Sequence, residues 1–154
     1  LGASVSINER NKIAELVDES VASGGKVITG GTLPEGPGAF YPATVIEVAA
    51  DNPILNHEVF GPVAPVVTFD TDEEAIRLAN NTDYGLISYV YSEDLKRALR
   101  MAEAIESGMV AINRGVISDP AAPFGGVKQS GLGREGGFDG IHEFLETKYI
   151  GVEI

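Results

Sequence analysis

Strand-like and helix-like segments alternate along the middle of the chain, and this alternation constrains the fold more than any other feature. The apolar stretch 63–69 precedes a helical pattern that begins at Thr71. The β-prone stretch 86–91 precedes a second helical pattern, and a further strand is predicted at 109–113. Strands that alternate with helices usually pair in parallel beneath those helices. We therefore predict an α/β fold, with a mostly parallel sheet flanked by helices.

The N-terminal part of the chain begins with an amphipathic helix. Ser6 and Glu9 have the spacing of a capping box, and Gly24 and Gly25 stop the pattern. The predicted apolar face consists of Ile13, Leu16, Val17 and Val21. Strands are expected at 26–29 and 42–48, with a Pro/Gly-rich connector between them, and Thr71 and Ser92 are expected to cap the later helices.

Composition excludes several classes of function. The 154 residues, 44% of them hydrophobic, suffice for one domain with a core, and a net charge of −12 disfavours nucleic acid as a partner. No apolar run is long enough for a membrane span, and we expect a cytoplasmic protein without membrane association. Residue 1 is not Met, so a lost targeting segment stays open. Zero cysteines and two histidines predict no metal site.

Two glycine-rich segments are the candidates for a ligand site. Residues 58–62 are Glu-Val-Phe-Gly-Pro. Residues 123–136 are Pro-Phe-Gly-Gly-Val-Lys-Gln-Ser-Gly-Leu-Gly-Arg-Glu-Gly. Both lie outside the periodic patterns, and the region 114–137 is predicted to be a long functional loop. An isolated phenylalanine is more often an ordinary core residue, and this is the alternative for Phe60 and Phe124. The surrounding motifs favour a ligand site instead.

Several other residues match site patterns only in part. Residues 131–136 match the pattern Gly-x-Gly-x-x-Gly, but no strand is predicted directly before them, which argues against a separate Rossmann site. His57 and His142 are expected to be structural, because no nucleophile elbow accompanies them. Lys128 and Arg134 are expected to pair with carboxylates or loop carbonyls rather than bind phosphate.

The ordered motifs resemble the aldehyde dehydrogenase family along essentially the whole chain. Besides 58–62 and 123–135, the resemblance rests on Asn-x-Thr-x-Tyr-Gly-Leu at 80–86 and Gly-x-Val-x-Ile-Asn at 108–113. It implies that Glu58 and Phe60 contact the ribose and nicotinamide of NAD or NADP, and that Phe124 lines the aldehyde tunnel. The residues that would distinguish NAD from NADP lie upstream of this chain in the family.

Within the family, the segments around 115–118 and 146–150 are most similar to succinate-semialdehyde dehydrogenases, with glutarate semialdehyde and other aldehydes left open as substrates. This resemblance implies that Ser118 binds the distal carboxylate of the substrate. Arg114 departs from the neutral or acidic residue expected there, and we treat an effect on substrate preference as a hypothesis.

In this family, a cysteine thiolate attacks the aldehyde, hydride passes to NAD(P)⁺, and the thioester is hydrolysed. This chain has no cysteine. We therefore expect residues 1–145 to be the C-terminal part of a catalytic domain that is inactive alone, with the nucleophile, general base and cofactor domain in a missing N-terminal portion. Residues 146–154 are expected to protrude as an oligomerisation strand that pairs with a second copy through 147–154. The alternative is a non-catalytic module that binds a partner or oligomerises.

Overall fold

The computed structural model describes residues 1–154, which separate into an N-terminal unit, Leu1–Asp70, and a C-terminal unit, Thr71–Ile154. The N-terminal unit contains helix α1 (Ile7–Ala22), strands β1 (Lys26–Thr29) and β2 (Thr44–Glu47), a 3₁₀ helix (Pro53–Asn56) and strand β3 (Val63–Val66). The C-terminal unit contains α2 (Asp72–Asn80), β4 (Tyr84–Gly85), β5 (Ile87–Val90), α3 (Leu95–Ala104), β6 (Met109–Ile112), β7 (Val127–Lys128) and a 3₁₀ helix (Asp139–Phe144).

Helix α1 begins where the capping sequence predicts. The Ser6 hydroxyl accepts a hydrogen bond from the Glu9 amide at 3.1 Å, which satisfies one of the free amides of the first turn. The Glu9 carboxylate pairs with Lys12 at 2.8 Å, so its side chain forms an i,i+3 ion pair. Gly24, at a φ of +91°, ends the helix in the left-handed conformation that favours glycine.

The buried face of α1 differs from the predicted one at its end. Ile13, Ala14, Val17 and Ser20 are buried, whereas Val21 is exposed. The spacing of Ile13, Val17 and Ser20 keeps them within one helical stripe, and Val21 lies beside it. Ile13, Ala14 and Val17 form one core cluster with Tyr41.

The sheet of the N-terminal unit has the order β1-β2-β3. β1 and β2 are antiparallel, and β2 and β3 are parallel. A second core cluster joins the sheet to the 3₁₀ helix through Ile46, Val48 and Ile54. Val59 packs against this cluster, which therefore supports the segment 58–62.

The C-terminal unit contains a parallel pair, β5 with β6, and an antiparallel pair, β4 with β7. Two of the four strand pairings in the chain are thus antiparallel, and the expectation of a mostly parallel sheet is only half right. Helix α3 provides the crossover between the parallel strands β5 and β6, and residues 48–62, with their 3₁₀ helix, provide the one between β2 and β3. Residues 30–43 join β1 to β2, which pair antiparallel.

The structure corrects one predicted cap and one predicted loop. Asp94, and not Ser92, caps α3, because its carboxylate accepts a hydrogen bond from the Arg97 amide at 3.0 Å. Ser92 is instead held by the Asn113 side chain through two hydrogen bonds to its backbone, of 2.9 and 2.8 Å. The region 114–137 is not devoid of regular structure, since it contains β7 and a bridge between Phe124 and Glu135.

The C-terminal residues 146–154 are exposed and form no strand pairing within this chain. Their expected role as a strand added to another copy stays a prediction. Among the helices, none is both long enough and apolar enough to cross a bilayer.

Candidate functional site

A buried polar network holds the start of the segment that leads to Glu58. The Asn52 amide oxygen accepts hydrogen bonds from the Ser20 hydroxyl at 2.9 Å and from the Ile54 amide at 3.2 Å. The Asn52 amide nitrogen donates to the Ser20 carbonyl at 3.0 Å. Since both side chains are almost fully buried, this network ties the 3₁₀ helix to the end of α1.

The segment 58–62 alternates between outward and inward side chains. Glu58 is exposed, Val59 packs against the second core cluster, and Phe60 is exposed to 78%. The predicted cofactor residues Glu58 and Phe60 therefore both project outward from a supported backbone.

Gly61 fixes the position of this segment against α1. A side-chain carbon added at Gly61 would lie 2.8 Å from Cγ1 of Ile13, which is closer than van der Waals contact allows. The Gly61 amide donates to the Val59 carbonyl at 2.9 Å, and the Val63 amide donates to the Gly61 carbonyl at 2.8 Å. Two consecutive tight turns and one close backbone approach thus explain the glycine.

In the C-terminal unit, Phe124 belongs to a paired backbone segment rather than a free loop. Its amide donates to the Glu135 carbonyl at 2.7 Å, and the Glu135 amide donates back to the Phe124 carbonyl at 2.8 Å. Arg134 extends this support, because its Nη1 donates to the carbonyls of Gly126 and Gly133, each at 2.7 Å. The expected structural role of Arg134 is confirmed.

Ser118 and Phe124 come together on one open depression of about 400 Å³. Asp119 and Glu135 line the same depression. Phe124 is half-buried, and it also lines an adjacent depression of about 190 Å³ with Met109 and Ile117. The two residues predicted to bind the substrate are therefore neighbours in space, whereas Glu58 and Phe60 belong to the other compact unit.

Arg114 and the two histidines show no catalytic arrangement. The Arg114 Nε donates to the Val116 carbonyl at 2.6 Å, so the side chain folds back onto its own loop. His57 ends the first 3₁₀ helix, and its amide donates to the Ile54 carbonyl. No group of three or more His, Asp and Glu side chains is close enough together to hold a metal ion.

The match to Gly-x-Gly-x-x-Gly does not form a Rossmann site. Gly131, Gly133 and Gly136 all have positive φ, of +104°, +88° and +72°. They follow the two-residue strand β7, which pairs antiparallel with β4, and a 3₁₀ helix comes next rather than an α-helix. A dinucleotide site of that kind needs a parallel strand, the glycine turn and a helix in succession.

Sequence reasoning missed three contributors to the two sites. Asn52 precedes a proline and so carried a turn signal, but its buried contact with Ser20 has no local signature. Asp119 and Glu135 line the depression with Ser118, and only the bridge between Phe124 and Glu135 brings Glu135 there.

The chain is an α/β protein in which outward-facing carboxylate, hydroxyl and aromatic groups lie on glycine-rich loops. The sequence profile of the aldehyde dehydrogenase family matches residues 1–150, and the chain belongs to that family.

Similar proteins include dehydrogenases of succinate semialdehyde and of glutarate semialdehyde. The chain is 53% identical over 153 residues to a succinate-semialdehyde dehydrogenase from Paenarthrobacter nicotinovorans, covering 99% of this chain and 34% of that protein. It is 45% identical to a glutarate-semialdehyde dehydrogenase from Pseudomonas putida, covering 93% of this chain and 30% of that protein. The chain spans about a third of the length of the curated relatives it matches.

Solved structures of aldehyde dehydrogenases also match this chain. A variant of betaine aldehyde dehydrogenase from Staphylococcus aureus, in complex with NAD⁺, superposes with a TM-score of 0.91 at 41% identity, covering 97% of this chain and 31% of that one. Succinate-semialdehyde dehydrogenase from Burkholderia pseudomallei superposes with a TM-score of 0.86 at 44% identity, covering 94% of this chain and 30% of that one.

Proposed function

We propose that this chain is the C-terminal part of an NAD(P)-dependent dehydrogenase that oxidises succinate semialdehyde to succinate. The observation that carries the proposal is the joint placement of Ser118 and Phe124 on one depression, in a chain 53% identical to a succinate-semialdehyde dehydrogenase. The chain has no cysteine, so a preceding portion of the same enzyme supplies the nucleophile and the cofactor domain. Alone, the chain is inactive.

The segment 58–62 suits the nicotinamide half of the cofactor. The exposed carboxylate of Glu58 has two acceptor oxygens, which match two neighbouring hydroxyl donors of a ribose. The exposed ring of Phe60 offers an apolar face to the nicotinamide. When bound, NAD(P)⁺ supplies the hydride acceptor. Glu58 and Phe60 orient it, and the support of Val59 and Gly61 keeps that orientation rigid.

The depression beside Ser118 suits an aldehyde with a distant anionic group. The Ser118 hydroxyl donates a hydrogen bond to the substrate carboxylate, and Phe124 forms the apolar wall along the carbon chain. Asp119 and Glu135 bring negative charge to the same depression. An anionic substrate therefore needs cationic side chains from elsewhere in the complete enzyme, and Ser118 contributes a neutral donor.

Kinetics of the complete enzyme test these assignments. Ser118→Ala should raise the KM for succinate semialdehyde roughly 10- to 100-fold, because a hydrogen bond to a charged group is worth about 1.5–3 kcal/mol. The KM for butanal, which lacks the carboxylate, should not change. Glu58→Gln should raise the KM for the cofactor and leave the aldehyde KM unchanged. Exposed Glu93 lies outside both sites, and Glu93→Gln is the matched control.

Two results would count against the proposal. Equal effects of Ser118→Ala on butanal and on the semialdehyde would remove the assignment of Ser118 to the carboxylate. Turnover by the 154-residue chain alone would require a nucleophile and a cofactor site other than those proposed. If the complete protein oxidises no aldehyde but still self-associates, the non-catalytic module is the better description.

Glutarate semialdehyde is the second candidate substrate, favoured by the 45% identity to a glutarate-semialdehyde dehydrogenase. It differs by one methylene, and such a difference is worth only about 1–3 kcal/mol of discrimination. The ratio of kcat/KM for the two semialdehydes, measured under one set of conditions, decides between them. The same assay with Arg114→Ala tests whether Arg114 alters substrate preference; unchanged semialdehyde KM would dismiss that role.

We further propose that residues 146–154 add as a strand to a second copy of the enzyme. The apolar side chains Tyr149, Ile150, Val152 and Ile154 are all exposed to 74% or more, and the backbone has no strand partner within the chain. An unpaired β-prone segment gains main-chain hydrogen bonds when it joins another sheet edge.

A further inference from the structure

Lys128 has a backbone conformation that is unusual for any residue except glycine. Its φ is +55°, in the left-handed region, where a side chain crowds the neighbouring backbone. The surrounding run contains glycines at 125, 126, 131 and 133, yet position 128 is a lysine. Contacts of the lysine side chain must therefore offset the backbone strain.

All three ammonium donors of Lys128 are engaged within the C-terminal unit. Nζ pairs with the Glu106 carboxylate at 2.7 Å and donates to the carbonyls of Asn80 at 2.9 Å and Thr82 at 3.2 Å. An ammonium has three donors, so Lys128 has none left for a phosphate. The side chain is also largely buried, at 24% exposure, so the ammonium group is held in one position.

The groups that Lys128 binds come from two other segments that are already locked together. The Asn80 amide nitrogen donates to the Ala104 carbonyl at 2.9 Å, and its oxygen accepts from the Glu106 amide at 2.8 Å. The end of α2 and the connection from α3 to β6 therefore form one rigid platform. Lys128 attaches β7 to that platform.

The attachment sets the position of Phe124. β7 directly follows the Phe124-Gly-Gly segment, and Gly85 of β4 binds the same region twice, by strand pairing with Val127 and through its amide to the Ser130 hydroxyl at 3.0 Å. Gly126 is buried against Ser130, which leaves the short segment between Lys128 and Phe124 little freedom. A displacement of β7 therefore moves the Phe124 ring in the depression it lines.

We infer that Lys128 is a positioning residue for the substrate depression, acting through β7 and Phe124 without touching the substrate. The inference rests on the proposed function for the identity of the aldehyde. The claim that Lys128 holds the Phe124–Glu135 bridge in place does not depend on that function. The bridge can be measured without turnover, so failure of one proposal is distinguishable from failure of the other.

The test uses two substitutions with different effects on the backbone. Lys128→Met removes the ammonium and keeps the strained φ, whereas Lys128→Gly removes the ammonium and relieves the strain. If the ammonium positions the segment, both variants of the complete enzyme should raise the aldehyde KM about 10-fold or more while the cofactor KM stays constant. Hydrogen exchange at the amides of Phe124 and Glu135 should accelerate in both. Lys96→Met, on the exposed side of α3, is the control.

The outcomes separate positioning from a general role in stability. Lower yield or melting temperature with unchanged aldehyde KM and unchanged exchange at residues 124 and 135 would overturn the inference. If the Lys128 variants do not fold, Glu106→Gln weakens the ammonium's ion pair and keeps the two carbonyl contacts. That variant should give the same changes at smaller amplitude, and normal kinetics with normal exchange would equally overturn the inference. If the wild-type enzyme oxidises no semialdehyde, the exchange measurement alone decides.

Discussion

Single glycines control where the candidate ligand-binding side chains are placed. Gly61 lets the segment bearing Glu58 and Phe60 approach α1, and Gly108 lets the start of β6 approach the Gly125-Gly126 backbone. The two positions differ in what a methyl group would meet. At Gly61 the neighbour is the Ile13 side chain, which can change rotamer at some cost, whereas at Gly108 the neighbours are backbone atoms, which cannot move alone.

We expect Gly108→Ala to be strongly destabilising. The new carbon would overlap the Gly125 carbonyl oxygen and lie 2.7 Å from Cα of Gly126. Overpacking of this kind costs about 3 kcal/mol and should lower the midpoint of thermal unfolding by several degrees. Gly115→Ala is the matched control, because only the Tyr91 hydroxyl lies near, at 3.8 Å. Equal midpoints for the two variants would show that the Gly125-Gly126 backbone yields more easily than its packing implies.

At the scale of elements, helices α2 and α3 are joined at their N-terminal ends by Asp72 and Arg97. The Arg97 guanidinium donates through Nε to both oxygens of the Asp72 carboxylate, at 2.8 and 3.0 Å, and through Nη2 to one of them. This two-nitrogen contact fixes orientation better than a lysine would. The hydrogen bond from Arg97 lowers the pKa of Asp72 below the ordinary aspartate value.

The lowered pKa of Asp72 predicts a difference in acid stability. A carboxyl whose pKa is depressed in the folded state contributes stability above its unfolded pKa of about 4, and this contribution is lost as the pH falls through the depressed value. Asp72→Asn should therefore be less stable than wild type at pH 7, and the difference should diminish as the pH falls through the depressed pKa of Asp72. Both side chains are partly exposed, so the effect should shrink in high salt.

The matched control for this pair is Glu73→Gln, which removes an adjacent exposed carboxylate from the same first helical turn. Denaturant unfolding at several pH values measures both variants. The same pH dependence for Asp72→Asn and Glu73→Gln would show that the helix dipole, and not the contact with Arg97, makes the acidic first turn stabilising.

For the whole molecule, the chain is one part of a larger assembly if the proposed function holds. It spans about a third of its relatives' length, and its C-terminal residues expose a series of large apolar side chains without a partner. A net charge of −12 keeps molecules apart at long range, so a specific contact between copies has to be made by short-range apolar packing and backbone hydrogen bonds.

Deletion of residues 147–154 from the complete enzyme should therefore reduce the oligomer size. The deletion removes the strand donor together with its apolar side chains, and light scattering after size exclusion measures the resulting mass. Glu153→Gln is the control, because it retains the backbone donors and acceptors. An unchanged oligomer after the deletion would assign assembly to another surface.

The local elements and the family could be predicted from the sequence because their causes lie within a few residues. The caps at Ser6 and Thr71 depend on an amide three residues away, and both are confirmed. The motif order from the first helix to the tail identified the family, and the profile match over residues 1–150 confirms it. The outward placement of Glu58 and Phe60 agrees with the loop predicted there.

Tertiary structure decided the features that join distant parts of the chain. It made Asp94 and not Ser92 the cap of α3, and it bonded the Ser92 backbone to Asn113, 21 residues away. It made two strand pairings antiparallel, and it brought Glu135 beside Ser118 and Lys128 to Asn80, 48 residues away. Such contacts have no sequence period, because they depend on which backbone segments approach each other after the helices and strands have packed.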